Sequence, residues 1–297
     1  MNVSLKILWG VVVVYAAMTA IISLRPNSIP VAVLVLFLLA FVLLHGTLRY
    51  RFSGILIFIS VALVVSNILE NLSILTGFPF GHYHYTDVLG PKLFLVPVLI
   101  GPAYVGTGYL SWVIATVLVE DVRRESSWFT TFAVPVIASF VMVIWDLCFD
   151  PSFSTIARRW IWEQGGGFFG VPLTNYLGWF LTVYIFYQMF ALYVRFRASG
   201  RAEVPPRPFY FQAVALYAVM GLSFVLQYLG RSNSRVTDAT GTVWQTGDIY
   251  ETAAIVSIYT MIFVAVITAV KLIQGTVVVS ERLDAARLDG APNSALD

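Results

Sequence analysis

Three acidic residues lie within or at the ends of apolar stretches of this chain, where a carboxyl group is costly and therefore informative. Glu70 lies in the apolar segment 54–75, and Asn67 and Asn71 flank it at helical spacing, so a helix would place one carboxyl and two amides on one face. A carboxyl group inside a membrane span is expensive unless it is paired or faces water, so the pattern predicts a functional acid. The alternative is a structural hydrogen-bond node formed with the two asparagines.

A second acidic pattern closes the apolar segment 128–149. Asp146 and Asp150 are four residues apart, so a helix would place both on one face. Two such carboxylates repel each other when both are ionised, and the more deeply buried one, here Asp146, tends to keep its proton. Asp146 is therefore a candidate general acid, whereas Asp150 either assists it or pairs with Arg158 or Arg159.

Two histidines in the insertion 76–92 suggest an alternative site that binds a metal ion. His82 and His84 would turn both imidazoles to one side of an extended strand, and Asp87 follows closely. The chain contains three histidines in all, which is too few for a histidine-rich di-iron membrane oxygenase. The set of His82, His84 and Asp87 stays an alternative, and the main interpretation expects no metal and no cofactor.

Aromatic residues crowd the same insertions and the helix ends beside them. Some of these rings belong to an interfacial aromatic belt. Others, next to buried acids, would line a slot for a long apolar ligand and stabilise a carbocation through their negative faces. The candidates for this role are Phe80, Tyr83, Tyr85, Trp145 and Trp179.

The elements that must position these residues are apolar helices. Each segment is near the roughly 20 residues that span about 30 Å of hydrocarbon, and helices satisfy their own backbone in lipid. The sequence therefore predicts an all-α polytopic membrane helix bundle of about eight transmembrane helices, with seven or nine as alternatives. It predicts one domain over 1–279 and a polar tail over 280–297. The segments are 5–24, 29–48, 54–75, 93–119, 128–149, 172–194, 209–229 and 252–273.

The polar residues concentrate in three insertions, 76–92, 146–175 and 231–251, which eight spans would place on one side of the bilayer. The other side collects twelve of the eighteen lysines and arginines. This excess of positive charge predicts a multi-pass protein of the cell membrane with both termini in the cytoplasm and the three insertions outside.

The composition excludes several classes of function. The chain is 59% hydrophobic and 11% charged, and its net charge is +2. Its basic residues are spread as topology signals and form no dense stripe, so we expect the lipid bilayer as a partner and no nucleic acid. The single cysteine, Cys148, excludes an internal disulfide and a cysteine-rich metal site. The sequence does not predict an oligomeric state.

Three strings of residues carry a resemblance to a known family. TGFPFGHYHYTDVLGPKLF, WDLCFDP and GGGFFGVPLTNYLGW occur in this order between apolar spans. They resemble the CruF-type membrane carotenoid biosynthesis proteins, which include carotenoid 1,2-hydratases and the bisanhydrobacterioruberin hydratase of haloarchaea. The resemblance is close over 65–185, and it implies a long apolar C40 or C50 carotenoid as the substrate.

The hydration of a terminal isoprene double bond agrees with the residues present. Protonation would give a tertiary carbocation, which water captures as a tertiary alcohol, without redox cofactor, ATP or metal. On chemical grounds Glu70 and Asp146 are the expected proton donors, and Asp150 and Asn175 the groups that orient water. Asn71 joins the five aromatic residues as a substrate-binding candidate.

Three other functions use the same inventory. A cation-generating carotenoid cyclase would employ nearly the same residues but would exclude water and return the proton. A metal-dependent membrane lipid enzyme would depend on His82, His84 and Asp87. A transporter would place charged residues along a path to both faces, whereas the acids here gather near one face.

Overall fold

The computed structural model describes residues 3–124, 126–197 and 205–275. The expected tail over 280–297 lies outside these residues. The fold is an all-α helical bundle with short strands in its loops, which confirms the predicted fold class. The helices are α1 (Val3–Leu24), α2 (Val31–Thr76), α3 (Ile100–Leu118), α4 (Trp128–Pro151), α5 (Leu173–Arg197), α6 (Arg207–Gly230), α7 (Thr246–Val256) and α8 (Phe263–Gln274).

Two π-helical turns extend these helices, and six short strands lie in the loops. The turn Ser152–Ile156 continues α4, and the turn Ser257–Ile262 joins α7 to α8 in one rod. The strands are β1 (Tyr83–Tyr85), β2 (Lys92–Leu93), β3 (Val96–Pro97), β4 (Trp160–Trp162), β5 (Arg235–Thr237) and β6 (Val243–Gln245). They pair antiparallel as β1 with β4, β2 with β3 and β5 with β6.

Helix α2 is two helical arms rather than one straight rod. The backbone of Arg51 leaves the helical region, with φ 59° and ψ 168°. A Cβ atom at Gly46 would overlap the side chain of Ile55. Nine residues of straight helix would hold these two positions about 13.5 Å apart. The chain therefore reverses at Arg51, and the two arms pack against each other.

The number of membrane-spanning helices differs from the predicted eight. Among the residues that the structure describes, six helices are long and apolar enough to cross a membrane. The predicted segments 29–48 and 54–75 are the two arms of α2, which this count treats as one helix, and α3 is absent from the six. Helix α3 is the most deeply buried helix, with every residue from Tyr104 to Val117 buried, so its glycines, threonines and serine need not face lipid.

The three polar insertions meet at one end of the bundle. Strand β1, from the first insertion, pairs with β4 from the second. The second insertion contacts the third, because Arg158 donates a hydrogen bond to the carbonyl oxygen of Thr237 and the rings of Phe169 and Trp244 lie 5.4 Å apart. This loop end covers the ends of α2 and α4 that carry the predicted acids and the start of α5 that carries Asn175.

Candidate active site

The two-stranded ribbon β1–β4 presents four polar-tipped rings to the bundle. Its register places Tyr83 opposite Trp162 and Tyr85 opposite Trp160. All four are buried, whereas His84, between the tyrosines, is exposed. Side chains alternate along a strand with a period of two, so the sequences YHY and WIW place both tyrosines and both tryptophans on one face. The ribbon therefore aims two phenol groups and two indole N–H groups at the helix ends.

The phenol groups converge on Glu70. The hydroxyls of Tyr83 and Tyr85 both donate to Oε2 of Glu70, the latter at 3.0 Å. Tyr104 of α3 donates to Oε1 at 2.8 Å. Burial and the charge of Glu70 raise the pKa of each of these two tyrosines well above the usual value for tyrosine, so both phenols stay neutral donors. Glu70 thus has three hydrogen bonds from neutral groups and no cation.

The indole groups converge on Asp150. Trp160 Nε1 lies 2.9 Å and Trp162 Nε1 lies 3.3 Å from Oδ1 of Asp150. Asn175, at the start of α5, donates its side-chain amide to Oδ2 at 2.6 Å. Within the described ranges Asp150 forms no ion pair, so the predicted alternative of pairing with Arg158 or Arg159 does not occur.

Asp146 lies one helical turn deeper and shares a donor with Asp150. The amide nitrogen of Asn175 lies 3.0 Å from Oδ2 of Asp146, so one amide group bridges the two carboxyls. Oδ1 of Asp146 is buried and has no hydrogen-bond partner. Two ionised carboxylates that share one amide without a cation would repel each other strongly. This arrangement suits a pair that carries one proton.

A cavity of about 190 Å³ opens beside these acids. Glu70, Asp150 and Asn175 lie on its wall, whereas Asp146 lies behind it. Residues of α1 to α6 and of the β1–β4 ribbon form the rest of the lining, most of which is apolar. The cavity extends along one face of α6 from Met220 to Gln227, a helical rise of about 10 Å, and reaches Arg231 just beyond the helix.

Aromatic rings surround the part of the cavity next to the acids. Tyr104 and Trp179 stack with centroids 4.2 Å apart, and Trp145 and Phe149 stack at 4.3 Å. Trp145 and Trp179 meet edge to face at 6.1 Å. Their π faces provide a negative, water-poor surface on which a short-lived cation would be stabilised.

The structure brings together most of the residues that the sequence predicts. The cavity is lined by Glu70, Asp150, Asn175, Phe80, Tyr83, Tyr85, Trp145 and Trp179. Asn71 is not among the lining residues. Its Oδ1 accepts a hydrogen bond from the backbone N–H of Leu95 at 2.9 Å, and its Nδ2 donates to the carbonyl of Asn67 at 2.7 Å. Asn71 therefore fixes the loop. Among the described residues neither asparagine is bonded to Glu70, so the alternative of a node formed by Glu70 with the two asparagines is not observed.

The alternative metal ligands are not brought together. His82 and His84 are exposed, away from the cavity, and His84 Nδ1 lies 3.0 Å from Oε1 of Glu163. Asp87 pairs with Lys92 at 3.1 Å. Within the described residues no group of three histidine, cysteine, aspartate or glutamate side chains is placed to hold a metal ion.

Three residues of the site were not predicted as such. Trp160 and Trp162 alternate around Ile161, a period-two signal that mirrors the alternation of Tyr83 and Tyr85. That matching period could have identified the ribbon. Tyr104 lies in a glycine-rich helix, and nothing in the local sequence indicates that its hydroxyl reaches a carboxyl group on another helix.

The comparisons with known proteins agree with this arrangement at the level of the family. Residues 30–240 match the model of a family described as carotenoid biosynthesis protein. That range includes Glu70, Asp146, Asp150 and Asn175, together with the β1–β4 ribbon. Neither a curated protein nor a solved structure matches the chain.

Proposed function

The chain belongs to the carotenoid biosynthesis protein family, and from that premise we propose that it is a hydratase that adds water to a terminal isoprene double bond of a carotenoid. The observation that carries this proposal is a cluster of three buried carboxyl groups, bonded to neutral donors only, beside an apolar cavity. Hydration of an alkene requires a carboxylic acid that stays protonated and is shielded from bulk water, and this cluster is suited to supply one.

The proton would come from the Asp146–Asp150 pair. Asp150 lies on the cavity wall, so it is the member that can reach an alkene carbon, while Asp146 behind it shares the proton of the pair. Proton transfer to the less substituted carbon consumes the π electrons and leaves a tertiary carbocation on its neighbour. This assignment makes Asp150 the donor, whereas the sequence-based hypothesis gave that role to Asp146 and Glu70.

Water capture would complete the reaction. Water adds its lone pair to the cation, and the resulting oxonium loses a proton to give the tertiary alcohol. Asn175 uses its amide nitrogen on the two aspartates, so its side-chain oxygen is left to orient that water. The Glu70 carboxylate, on the same cavity wall, would accept the released proton and stabilise the cation across the cavity.

The substrate would be an acyclic or monocyclic carotenoid that enters from the bilayer. Its apolar chain would lie along the cavity face of α6, and its end group would lie among Tyr104, Trp145 and Trp179. Such a polyene partitions into lipid, so lateral entry between helices is the natural route. No cofactor enters this reaction scheme.

The direct test is expression in a lycopene-producing bacterium followed by mass analysis of the pigments. We expect a product heavier than lycopene by one water, and we expect the Asp150→Asn variant to lack it at equal membrane abundance. The matched control is Asp248→Asn, which changes an exposed acid in the first turn of α7. A new pigment of unchanged mass would indicate a cyclase and would contradict the hydratase.

We also propose that the loop end faces the outside of the cell membrane and that both termini are cytoplasmic. Asp238→Cys, in the third insertion, should react with an impermeant thiol reagent in intact cells, and Arg124→Cys, between α3 and α4, should not. Cys148 is buried and should not interfere. The reverse labelling would overturn this orientation.

A further inference from the structure

Two arginines lie at the end of the apolar cavity that is formed by α6 and the second insertion. Arg159 and Arg231 both line the cavity. The guanidinium carbon of Arg159 lies 4.5 Å from the centroid of the Phe153 ring, and that of Arg231 lies 5.6 Å from the ring of Tyr250. Within the described ranges neither arginine forms an ion pair with an aspartate or a glutamate.

Arg159 has fewer hydrogen-bond partners than Arg231 within the described residues. Its Nε is buried and has no hydrogen-bond partner, and the described residues accept no hydrogen bond from its guanidinium group. Stacking on Phe153 occupies the face of the guanidinium and leaves its N–H edge free. Burial and the nearby charge of Arg231 lower the pKa of Arg159. Such a pair of cations is costly to leave uncompensated.

Arg231 is held in place at the boundary between two cavities. It donates from Nε to the carbonyl of Ser23 and from Nη2 to the carbonyl of Ile22, each at 3.2 Å. It also lines a second cavity of about 250 Å³, together with Ser232, Ser234 and Thr246. Arg231 therefore lies between an apolar cavity and a second cavity that carries hydroxyl groups.

We propose that Arg159 and Arg231 bind the phosphate group of an anionic phospholipid. Its polar head would lie in the cavity that carries hydroxyl groups. Its acyl chain would lie in the apolar cavity along α6, where it would compete with the carotenoid chain. Guanidinium groups bind phosphate through charge-assisted hydrogen bonds, and two of them would supply the charge that a phosphodiester needs. This ligand goes beyond the proposed reaction, because a carotenoid hydrocarbon carries no anionic group.

The test distinguishes the contribution of the phosphate group to binding from that of the acyl chain. Native mass spectrometry of the protein in detergent would measure binding of phosphatidylglycerol, of diacylglycerol, which lacks phosphate, and of inorganic phosphate, which lacks a chain. We expect phosphatidylglycerol to bind at least about tenfold more tightly than either, since one charge-assisted contact is worth about 1.5–3 kcal/mol and 1.4 kcal/mol is tenfold.

Matched arginine variants assign the binding to this site. Arg159→Gln should weaken phosphatidylglycerol binding about tenfold or more without loss of fold, because its side chain accepts and donates no hydrogen bond within the described protein. Arg158→Gln is the control, since Arg158 is exposed and bonds to Thr237 instead, and it should bind as the wild type does. Equal binding by wild type and Arg159→Gln would overturn the proposal. If diacylglycerol bound as tightly as phosphatidylglycerol, the cavity would recognise only the apolar chain. If inorganic phosphate bound as tightly, the arginines would form a simple anion site. Either result would also overturn the proposal.

Discussion

The two ends of the bundle bury carboxyl groups in opposite ways. At the end away from the loops, Asp121 forms a buried ion pair with Arg49, beside the turn of α2. At the loop end, Glu70, Asp146 and Asp150 are bonded by phenol, indole and amide groups. A cation fixes its partner as an anion, whereas neutral donors leave room for a proton to be held and released. The first arrangement serves stability, and the second serves chemistry.

The contacts around each end agree with this division. Tyr50, next to Arg49, accepts a hydrogen bond from Trp112 Nε1 at 2.8 Å, which ties the turn of α2 to α3. The acids of the loop end instead share a wall with the apolar cavity. Buried polar groups at the first end are closed off by protein, and those at the second are open to a ligand.

The largest expected effect is on stability, when one partner of the Arg49–Asp121 ion pair is removed. Arg49→Met leaves Asp121 buried without its cation, which should lower the free energy of unfolding by about 3–5 kcal/mol. Urea or thermal unfolding in detergent measures it. The double variant Arg49→Met with Asp121→Leu should regain most of the stability, and failure to do so would mean that the pair is not the source of the loss.

The next largest effect is expected on turnover, when the carboxyl group of Asp150 at the cavity wall is removed. Asp150→Asn keeps the shape and the hydrogen-bonding capacity of the side chain but removes the transferable proton, so turnover should fall about 100-fold or more. Turnover is measured as product formed per protein in membranes. Glu70→Gln should also lower turnover. Full activity in both variants would refute the carboxyl mechanism.

A smaller effect is expected when one neutral donor is removed. Trp160→Phe deletes one hydrogen bond to Asp150, and Tyr104→Phe deletes one to Glu70. A hydrogen bond to a charged group is worth about 1.5–3 kcal/mol, so each change should lower turnover by roughly tenfold. Because each carboxyl retains two other donors, the protein should still fold. Unchanged turnover in both variants would show that the donors are merely structural.

The smallest effect separates the proposed acid site from the alternative metal site. His82→Ala and His84→Ala change exposed side chains away from the cavity, so each should alter stability by no more than about 0.5 kcal/mol and leave turnover nearly unchanged. Assays with and without a chelator supply the control. Loss of activity in both histidine variants, together with restoration by a divalent metal, would favour the alternative.

The sequence revealed the acids better than it revealed their partners. Spacing of four residues in a helix was enough to place Asp146 and Asp150 together, because that geometry is local. How deeply each aspartate is buried depends on contacts with other helices, which the local sequence does not show. Asp146 lies behind the cavity because α5 brings Asn175 across both carboxyls, a contact between positions 29 and 25 residues apart. The assignment of Asp146 as the donor therefore depended on packing that one helix does not encode.

The turn of α2 and the β1–β4 ribbon also depend on contacts that the local sequence does not show. Hydropathy found the two arms of α2 as separate apolar segments, but it could not show that the backbone reverses at Arg51, since a lone turn residue leaves no apolar signal. The β1–β4 ribbon pairs segments about 77 residues apart, and its strands are three residues long. Strands this short give a weak periodic pattern, and only their pairing reveals what they do.

The most direct measurement of the central claim is infrared spectroscopy of the purified protein at neutral pH. If the Asp146–Asp150 pair carries a proton, the spectrum should contain the carbonyl stretch of a protonated carboxyl group. That band should weaken in the double variant Asp146→Asn with Asp150→Asn and should persist when the opposite ion pair is replaced by Arg49→Met with Asp121→Leu. A band that is absent from the wild type, or unchanged in the double asparagine variant, would contradict a stored proton at the loop end.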